Sequence, residues 1–540
     1  MLNKTIIALL GLGCCTLPGC MVGPDYERPA IETPDAYAEA TEAETTPEEP
    51  LTAWWTTLDD PVLTSLIERS ATENLNLQIA EARVREARAA RGIAESALWP
   101  TLGLSASARR LQVAEPETPS TGSPISGGLS VGPQGITPSV TLRGQNGSVT
   151  QSFNNGQGVT SIQVSPGGGG FDRSSSLYQV GFDAAWELDV FGGNRRAIEA
   201  ADANIEATEE FQRSVLVSLL AEVALNYVEL RSAQARIAIT EKNIDAQSET
   251  VRLTQERFRV GLSSELDAVR AEALLASTKS QIPALETQAA TSIHRLSVLL
   301  GREPSALEEE LAPRQALPTA PEQIPVGLPS GLLLRRPDIR QAERQLAVAT
   351  ANIGVAVADL FPRFSLTGGL TGQSSLIGSV LSGANQAWSI GPGVSVPLFQ
   401  GGRIRANIAV QDARQEQAAI GYEQTILVAL QEVEDSLVSY TQEQERRGLL
   451  ERAVAANENS VRLANERYVR GLEGFLNVLQ AQQQLFQSED LLVLSNSFVL
   501  TDLISLYKAL GGGWEVFESE AVSGEAVESR DSGEENVSVQ

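Results

Sequence analysis

The sequence predicts a mainly α-helical chain that also carries membrane β-strands and that arose by internal duplication. Three observations support this fold class. One stretch of 67 residues, 194–260, contains neither glycine nor proline. A second long stretch with a similar ending follows in the later half of the chain. Between the helical segments, both halves contain short segments in which apolar and polar residues alternate with the period of a strand.

The stretch 194–260 is dominated by alanine, glutamate, glutamine, leucine and arginine. These residues favour helices because they lose little side-chain freedom there. A continuous helix of this length would be roughly 100 Å long. No compact domain has a core that deep, so we expect this helix to lie along other long helices, as in a coiled coil, a fibre or a barrel wall.

The second long stretch, 403–470, is a copy of the first. Aligning ERFRVG with ERYVRG places Gly261 on Gly471, an offset of 210 residues. Earlier matches, AEARV with AERQL and ALWP with DLFP, have an offset of 262, so the first half holds 52 extra residues between Pro100 and Gly193. The duplication predicts that both halves share one order of elements.

Residues 1–19 are typical of a secretory signal peptide, with Lys4 before an apolar IIALLGLG core. The ending LPGC resembles a bacterial lipobox. We therefore expect Cys20 to carry a diacylglycerol and an N-acyl chain, with Cys14 and Cys15 as rival positions and an ordinary signal peptide as the alternative. With Cys20 lipidated, the mature chain has no further cysteine for a disulfide framework or a cysteine metal site.

Residues 20–53 are rich in proline, glutamate and alanine, which predicts an extended, lipidated arm. Met21 stands where an aspartate would have favoured the inner membrane, so we expect the outer membrane. The first structural repeat, 54–301, opens with apolar residues at helical spacing from Trp54 as far as Leu98.

After this helical region the period changes to that of a strand. In LYQVGFDAAWELD one face is apolar and contains Tyr178, Val180, Phe182, Ala184, Trp186 and Leu188. The opposite face contains Gln179, Gly181, Asp183, Ala185, Glu187 and Asp189. This pattern suits a strand between lipid and water, although a half-buried strand of a soluble sandwich would show it too. The second half repeats the pattern at Phe364, Leu366, Leu370, Trp388, Ile390, Val394 and Val396.

Between the first two strands, 111–176 consists largely of glycine, serine, proline, threonine and asparagine. This composition predicts a long loop without a fold of its own. Long loops of membrane barrels face outside the cell, and we expect the same here.

Proline positions and charge predict the remaining segments of the chain. Pro283 should kink the first return helix. Residues 302–337 form a proline-rich connector with the motif IPVGLPSGLLLRRPDIRQAE, 338–511 form the second structural repeat, and 512–540 form an acidic tail that we expect to be disordered.

Four membrane strands per chain cannot close a barrel, and an open sheet in lipid leaves backbone groups unpaired at a cost of several kcal/mol each. We therefore expect oligomerisation. Two, three or four copies would supply about 8, 12 or 16 strands, and the larger numbers leave room for a passage.

Several motifs together resemble one family over nearly the whole mature chain: the WW…DPVL start, the GLPS…RRPDI…AE connector, the FGG and FQGG junctions and the RFRVG and RYVRG turns. They look like those of TolC-type outer-membrane efflux proteins. With the cysteine signal, the chain is most similar to the lipoprotein (NodT/OprM-like) branch that serves RND-type multidrug exporters. The resemblance implies a homotrimer with a twelve-stranded outer-membrane β-barrel continuous with a long periplasmic α-helical barrel.

The resemblance also implies function and partners. The duct would expel drugs or other small amphiphiles when an inner-membrane RND transporter and a periplasmic adaptor, the membrane fusion protein, dock at the helix tips. A conduit for type I-like protein secretion or for metal-ion efflux is the alternative. A single methionine in the mature chain, Met21, leaves no methionine relay for copper.

By resemblance, four residues belong to a periplasmic gate: Asp267, Tyr468, Leu476 and Gln480. We expect closure mainly by Leu476 and by hydrogen bonds of Tyr468 and Gln480, with helix packing as the alternative role of the tyrosine. Glu473 departs from the family pattern, since one branch has an arginine there, and Gln480 replaces a frequent aspartate.

Because Asp267 and Glu473 would repel each other, the arginine lock of that branch cannot be carried over to this chain, and Arg470 or Arg270 could substitute for it. The turns that meet the adaptor would be formed by Val260, Gly261, Leu262, Arg470, Gly471 and Leu472. The glycines have a structural reason as well, because a tight turn after a helix favours a residue with positive φ.

Other function classes lack support in the sequence. The chain has one histidine, His294, and no catalytic triad, phosphate loop or metal-ligand motif, so we expect no enzyme activity, no metal and no non-covalent cofactor. A formal net charge of −27 disfavours nucleic-acid binding. The carboxylates could line a cation-favouring passage or simply be solvated. A passive porin would not need the long helices, and a plain coiled coil would not need the strands.

Overall fold

The computed structural model describes residues 21–39, 45–46, 52–112, 125–132, 135–144, 147–154, 157–163, 174–321 and 323–518, with the side chains of 45–46 and 111–175 left out. The predicted signal peptide, Cys20 and the tail beyond residue 518 lie outside the described residues. The chain forms two compact units. One comprises the described residues within Met1–Pro24, Gly92–Ile198 and Asn352–Val410, and the other comprises those within Asp25–Arg91, Glu199–Ala351 and Gln411–Gln540.

The first half contains, in chain order, α1 (Pro61–Glu73), α2 (Leu75–Ser96), β1 (Thr101–Gln112), β2 (Ile125–Gly132), β3 (Gly135–Gly144), β4 (Gly147–Asn154), β5 (Gln157–Gln163), β6 (Ser174–Leu188), α3 (Gly193–Arg259), α4 (Glu265–Lys279) and α5 (Ile282–Leu299). Two short connector helices follow, α6 (Glu308–Leu311) and α7 (Pro329–Arg335). The second half contains α8 (Pro337–Ala358), β7 (Arg363–Ser374), β8 (Gln386–Ser395), α9 (Arg403–Val469) and α10 (Phe475–Ala509).

The two long helices, α3 and α9, each have 67 residues and agree with the expected stretches to within one residue. The return helices differ between the halves. The first is interrupted between Lys279 and Ile282, with Pro283 in the first turn of α5, whereas α10 runs for 35 residues without a break. Proline has no amide hydrogen to continue the helical ladder, which explains the interruption.

The second of these units, which contains most of α3, α9 and all of α10, is the helical unit. Its core includes the two tryptophans that open the first repeat. Trp54 and Trp55 lie in a short 3-10 turn before α1, where a longer helix was expected, and both are buried. Trp54 stacks on Tyr507 with ring centroids 5.4 Å apart, and Trp55 stacks on Phe517 at 5.9 Å. The start of the first repeat and the end of the second therefore share one core.

Helix α10 is long and apolar enough to cross a membrane by length and composition, but half of its most apolar stretch is buried inside the protein. Its buried residues include Leu503, Ile504, Leu506 and Tyr507, which belong to the main core cluster. We therefore interpret it as a core helix of the helical unit.

The four predicted membrane strands form one antiparallel sheet in the order β8-β7-β6-β1. The register places Phe182 opposite both Leu104 and Leu370, and Leu370 opposite Trp388. One face is therefore apolar across all four strands, and much of it is exposed, with Trp388 77 % accessible. Such a face suits lipid, and the outer edges of β1 and β8 have no partner strand in the described part of this chain.

The segment 111–176 is not the unstructured loop that its composition suggests. Strands β2 to β5 pair consecutively into a separate four-stranded antiparallel sheet. The dipeptides Asn146-Gly147 and Asn155-Gly156 lie at two of the strand connections, and this dipeptide is a strong hairpin signal. Turn dipeptides such as Asn-Gly specify hairpins locally, which a composition rich in glycine and serine does not show.

One buried carboxyl group in the helical unit predicts a pH dependence of stability. Burial raises the pKa of Asp502 on α10 from 3.8 to about 6, and the carboxylate of Glu443 on α9 adds to the rise. Glu443 accepts a hydrogen bond from Ser495 at 2.5 Å and pairs with Arg446 at 3.1 Å.

Because the folded state binds this proton more tightly than the unfolded state, its stabilising effect is greatest below the unfolded pKa and is lost as the pH rises through about 6. We expect the difference in melting temperature between pH 5 and pH 7 to shrink in Asp502→Asn. Thermal unfolding of the detergent-solubilised protein measures it, and Glu445→Gln, an exposed site on α9, is the control. An unchanged difference in Asp502→Asn would contradict the assignment.

Candidate gate and docking turns at the helix tips

Each long helix ends in a tight turn closed by a glycine with positive φ. Gly261 has a φ of 78° and Gly471 a φ of 71°. The next residue reverses the chain, since the amide of Leu262 donates to the carbonyl of Arg257 at 2.7 Å, and that of Leu472 to the carbonyl of Arg467 at 2.9 Å. This is the Schellman ending of a helix. A Cβ at either glycine would meet open space, so only the backbone conformation requires glycine.

The turns present apolar side chains to solvent. Val260 and Leu262 are 68 % and 67 % exposed, and Leu472 is 65 % exposed. All six predicted docking residues, including Arg470 and the two glycines, are exposed. Apolar side chains grouped at an exposed tip are typical of an interaction surface.

Below the turns, a small core joins the two halves of the chain. It consists of Val251, Ala271, Tyr468, Phe475 and Val478. The ring of Tyr468 lies 5.4 Å from that of Phe475. Each long helix and the return helix after it form a helical hairpin. Packing between the two helical hairpins therefore fixes the relative position of the two turns in one chain.

Tyr468 makes its closest described contacts through its ring. The guanidinium of Arg257 lies over this ring, 4.7 Å from its centroid, a distance suited to a cation–π interaction. The buried hydroxyl has no hydrogen-bond partner among the described residues. Burial raises the pKa of Tyr468, and Asp267 adds to the rise while Arg257 opposes it. Within one chain, Tyr468 is therefore a neutral packing residue.

Asp267 takes part in the N-terminal cap of helix α4, whose N-cap residue is Ser264. Its amide donates to the hydroxyl oxygen of Ser264 at 3.3 Å, and its carboxylate accepts from the amide of Ser264 at 3.4 Å. This reciprocal pair is a capping box, which satisfies amides at the start of a helix. The second repeat has Gly474 at the matching position, where no side chain caps α10.

Glu473 has its own cation. Arg467 pairs with its carboxylate at 2.7 Å, and Asn477 donates to it at 3.1 Å. Within one chain the carboxylate of Glu473 therefore pairs with Arg467, and a gate lock formed by Arg470 or Arg270 stays a prediction. Arg467 and Arg257 occupy equivalent positions in the ERYVRG and ERFRVG motifs, so the repeated Glu-Arg pair was the signal that could have identified both.

The two expected constriction residues lie on α10. Leu476 is 45 % exposed and Gln480, one turn later, is exposed as well. Residues four apart share one face of a helix, so these two side chains form a continuous surface. The buried neighbours Phe475 and Val478 face the tip core instead.

The family model for "Outer membrane efflux protein" matches residues 66–302 and 328–512, two segments that correspond to the two structural repeats. The chain belongs to this family. It is 31 % identical over 529 residues to the solvent efflux pump outer membrane protein SrpC of Pseudomonas putida, covering 95 % of this chain and 98 % of that protein. It is 30 % identical over 475 residues to nodulation protein T of Rhizobium leguminosarum bv. trifolii, covering 87 % and 89 %.

Among solved structures, the outer-membrane channel OprN is similar with a TM-score of 0.76 and 34 % identity, covering 92 % of this chain and all of that one. The resemblance to TolC-type channels is thus confirmed. This outer membrane efflux protein places its apolar sheet in the outer membrane and its helices in the periplasm. Within the described residues, no group of three or more histidine, cysteine, aspartate or glutamate side chains could hold a metal ion, and His294 is exposed.

Proposed function

We propose that three copies of this chain form the outer-membrane exit duct of a tripartite efflux pump. The observation that carries this proposal is the four-stranded sheet with one exposed apolar face and two open edges, β1 and β8. Open edges cannot face lipid, and three copies joined edge to edge close a twelve-stranded barrel wide enough for a passage. An inner-membrane RND transporter and a periplasmic adaptor complete the pump.

The cargo is a drug or another small amphiphile. A wide duct selects little, so the transporter chooses the molecule. The name of the similar protein SrpC, a solvent efflux pump component, supports apolar or amphiphilic cargo. The chain acts as a passage and catalyses no reaction.

The duct is gated at the periplasmic tips. Leu476 and Gln480, exposed on one face of α10, line the constriction, and Tyr468 and Asp267 hold the adjoining helices in the closed arrangement. In the trimer a neighbouring copy supplies the hydrogen-bond partner that the Tyr468 hydroxyl lacks within one chain. The exposed turns 260–262 and 470–472 receive the adaptor.

The duct is also lipid-anchored. Cys20 carries a diacylglycerol and an N-acyl chain after removal of residues 1–19. The lipobox-like ending of the signal peptide supports this anchor.

Retention of an amphiphilic fluorescent dye tests the function. Cells that contain a transporter and an adaptor but lack their outer-membrane channel should lose the dye faster when this chain is supplied. The matched control is the same strain with the empty vector. Equal dye loss, in cells where the chain is present as a folded trimer with its transporter and adaptor, would overturn the proposal.

A further inference from the structure

The residues that follow Cys20 cross the strand-to-helix junction at unusually short distance. Gly23 has a φ of 91°, and a Cβ built on it would lie 2.4 Å from the Cα of Gly354 on α8. A Cβ on Gly192, where β6 leads into α3, would lie 2.7 Å from Cγ of Met21. Any side chain at these glycines would push the chain away.

A buried arginine, Arg196, donates hydrogen bonds to residues 22 and 23. Arg196 in the first turn of α3 is 1 % exposed. Its Nε donates to the carbonyl of Val22 at 3.1 Å, and its Nη2 donates to the carbonyl of Gly23 at 3.3 Å. Gly354 leaves room for this side chain, since a Cβ there would lie 2.8 Å from Cδ of Arg196. The guanidinium is thus aimed at two consecutive main-chain carbonyls.

Residues 21–23 are also hydrogen-bonded just beyond the end of strand β6 of the membrane sheet. The amide of Val22 donates to the carbonyl of Phe191 at 3.2 Å. The ring of Phe191 stacks on that of Phe361 at 4.6 Å and lies 6.4 Å from that of Phe364, the second residue of β7. Aromatic rings at the end of membrane strands mark the boundary between lipid and water. The N-terminal segment is therefore held at this boundary.

We propose that Arg196, Gly192 and Gly354 form a seat that fixes the lipid anchor against the chain's own membrane sheet, with Arg196 as the positioning residue. The inference rests on the proposed lipidation of Cys20. Consecutive Cα atoms are about 3.8 Å apart, so seating Met21 to Gly23 places the acylated cysteine within a few ångströms of the seat. The acyl chains then enter the bilayer beside the sheet instead of moving on a free tether.

The seat is assembled from three parts of the chain: residues 21–23, the turn 191–196 and Gly354. It can form only after β6, α3 and α8 have come together.

Two variants and a matched control test the seat in the full-length protein in outer-membrane vesicles. Arg196→Leu removes both carbonyl contacts. Gly23→Val removes the close approach to Gly354. Because Gly23 is exposed, we expect this variant to fold even if Arg196→Leu does not. Arg195→Leu is the control, because Arg195 lies at the same junction but pairs with Asp189.

Cells are grown with a photoactivatable fatty acid, and cross-links between the Cys20 peptide and the sheet peptides are counted by mass spectrometry. We expect frequent cross-links in the wild-type protein and the control, and a loss of at least five-fold in Arg196→Leu and Gly23→Val, with the mass of the acylated Cys20 peptide unchanged. Equal cross-linking in all four proteins would overturn the seat.

Hydrogen exchange separates the seat from the lipidation on which it rests. We expect the Val22 amide to exchange at least ten-fold faster in Arg196→Leu than in the wild-type protein or in Arg195→Leu. A Cys20 peptide without acyl mass would refute the lipidation, whereas an unprotected Val22 amide in the wild-type protein would refute the seat.

Discussion

A chain carrying both Leu262→Glu and Leu472→Glu should assemble and insert normally but export no dye. Both leucines follow the glycine of a helix-ending turn and are among the most exposed apolar side chains of the helical unit. Neither contributes to the tip core of Val251, Ala271, Tyr468, Phe475 and Val478. Two carboxylates at this surface would have to be desolvated against the adaptor, which costs several kcal/mol when no cation pairs with them.

The expected loss is at least a hundred-fold in the rate of dye export, with unchanged amounts of heat-resistant trimer on a gel. Leu262→Met with Leu472→Met keeps the apolar surface and should export at nearly the wild-type rate. Export by the double glutamate variant above a tenth of the wild-type rate would show that the adaptor docks elsewhere.

Replacing Leu476 by serine should open the resting channel. Leu476 and Gln480 lie on one exposed face of α10, while the adjacent Phe475 and Val478 are buried in the tip core. An apolar side chain at a constriction excludes water and ions, and a serine in its place would admit them. Because the packed face is untouched, the variant should fold normally.

Single-channel recording of the reconstituted protein measures this effect, and we expect the closed-state conductance to rise several-fold in Leu476→Ser. Val469→Ser alters an apolar residue before the turn that is more exposed than Leu476, and it should leave conductance unchanged in the absence of adaptor. A Leu476→Ser channel that conducts like the wild type would refute this position as the constriction.

Tyr468→Phe distinguishes the two roles considered for the tyrosine. The phenylalanine keeps the contact with Phe475 and the position under Arg257 but removes the buried hydroxyl. Wild-type conductance of this variant would assign Tyr468 to packing alone. An increase would mean that the hydroxyl is hydrogen-bonded by a neighbouring copy in the closed trimer.

The sequence predicted the long helices and the membrane strands well, for physical reasons that act locally. Helix α3 begins at Gly193 and ends shortly before Gly261, and it contains no proline. The alternating apolar residues around Phe182 share one face of the observed sheet. This register is specified by the sequence because a slip of one residue would turn the apolar side chains to the opposite face. Turn glycines 261 and 471 were equally predictable, since a helix end of this type favours positive φ.

The contacts that join distant segments were not predictable in the same way. The guanidinium of Arg257 packs on the ring of Tyr468, which lies 211 positions later in the chain. The residues around neither side chain predict this contact. Arg196 contacts main-chain carbonyls, which every residue possesses, so the contact leaves no trace in side-chain patterns. The sheet of β2 to β5 does not follow from composition, because its sequence signal lies in the turn dipeptides between the strands.

The break between α4 and α5 gives the two hairpins of one chain different mechanical properties. Helix α10, with 35 residues, is a single stiff rod of roughly 50 Å. Its counterpart has a joint at Ser280 and Gln281, where helical hydrogen bonding is interrupted just before Pro283. Bending at this joint needs fewer bonds to break than bending α10. When an adaptor pulls on both tips, the first hairpin should flex about its joint, and the second should transmit the force to the tryptophan core around Tyr507.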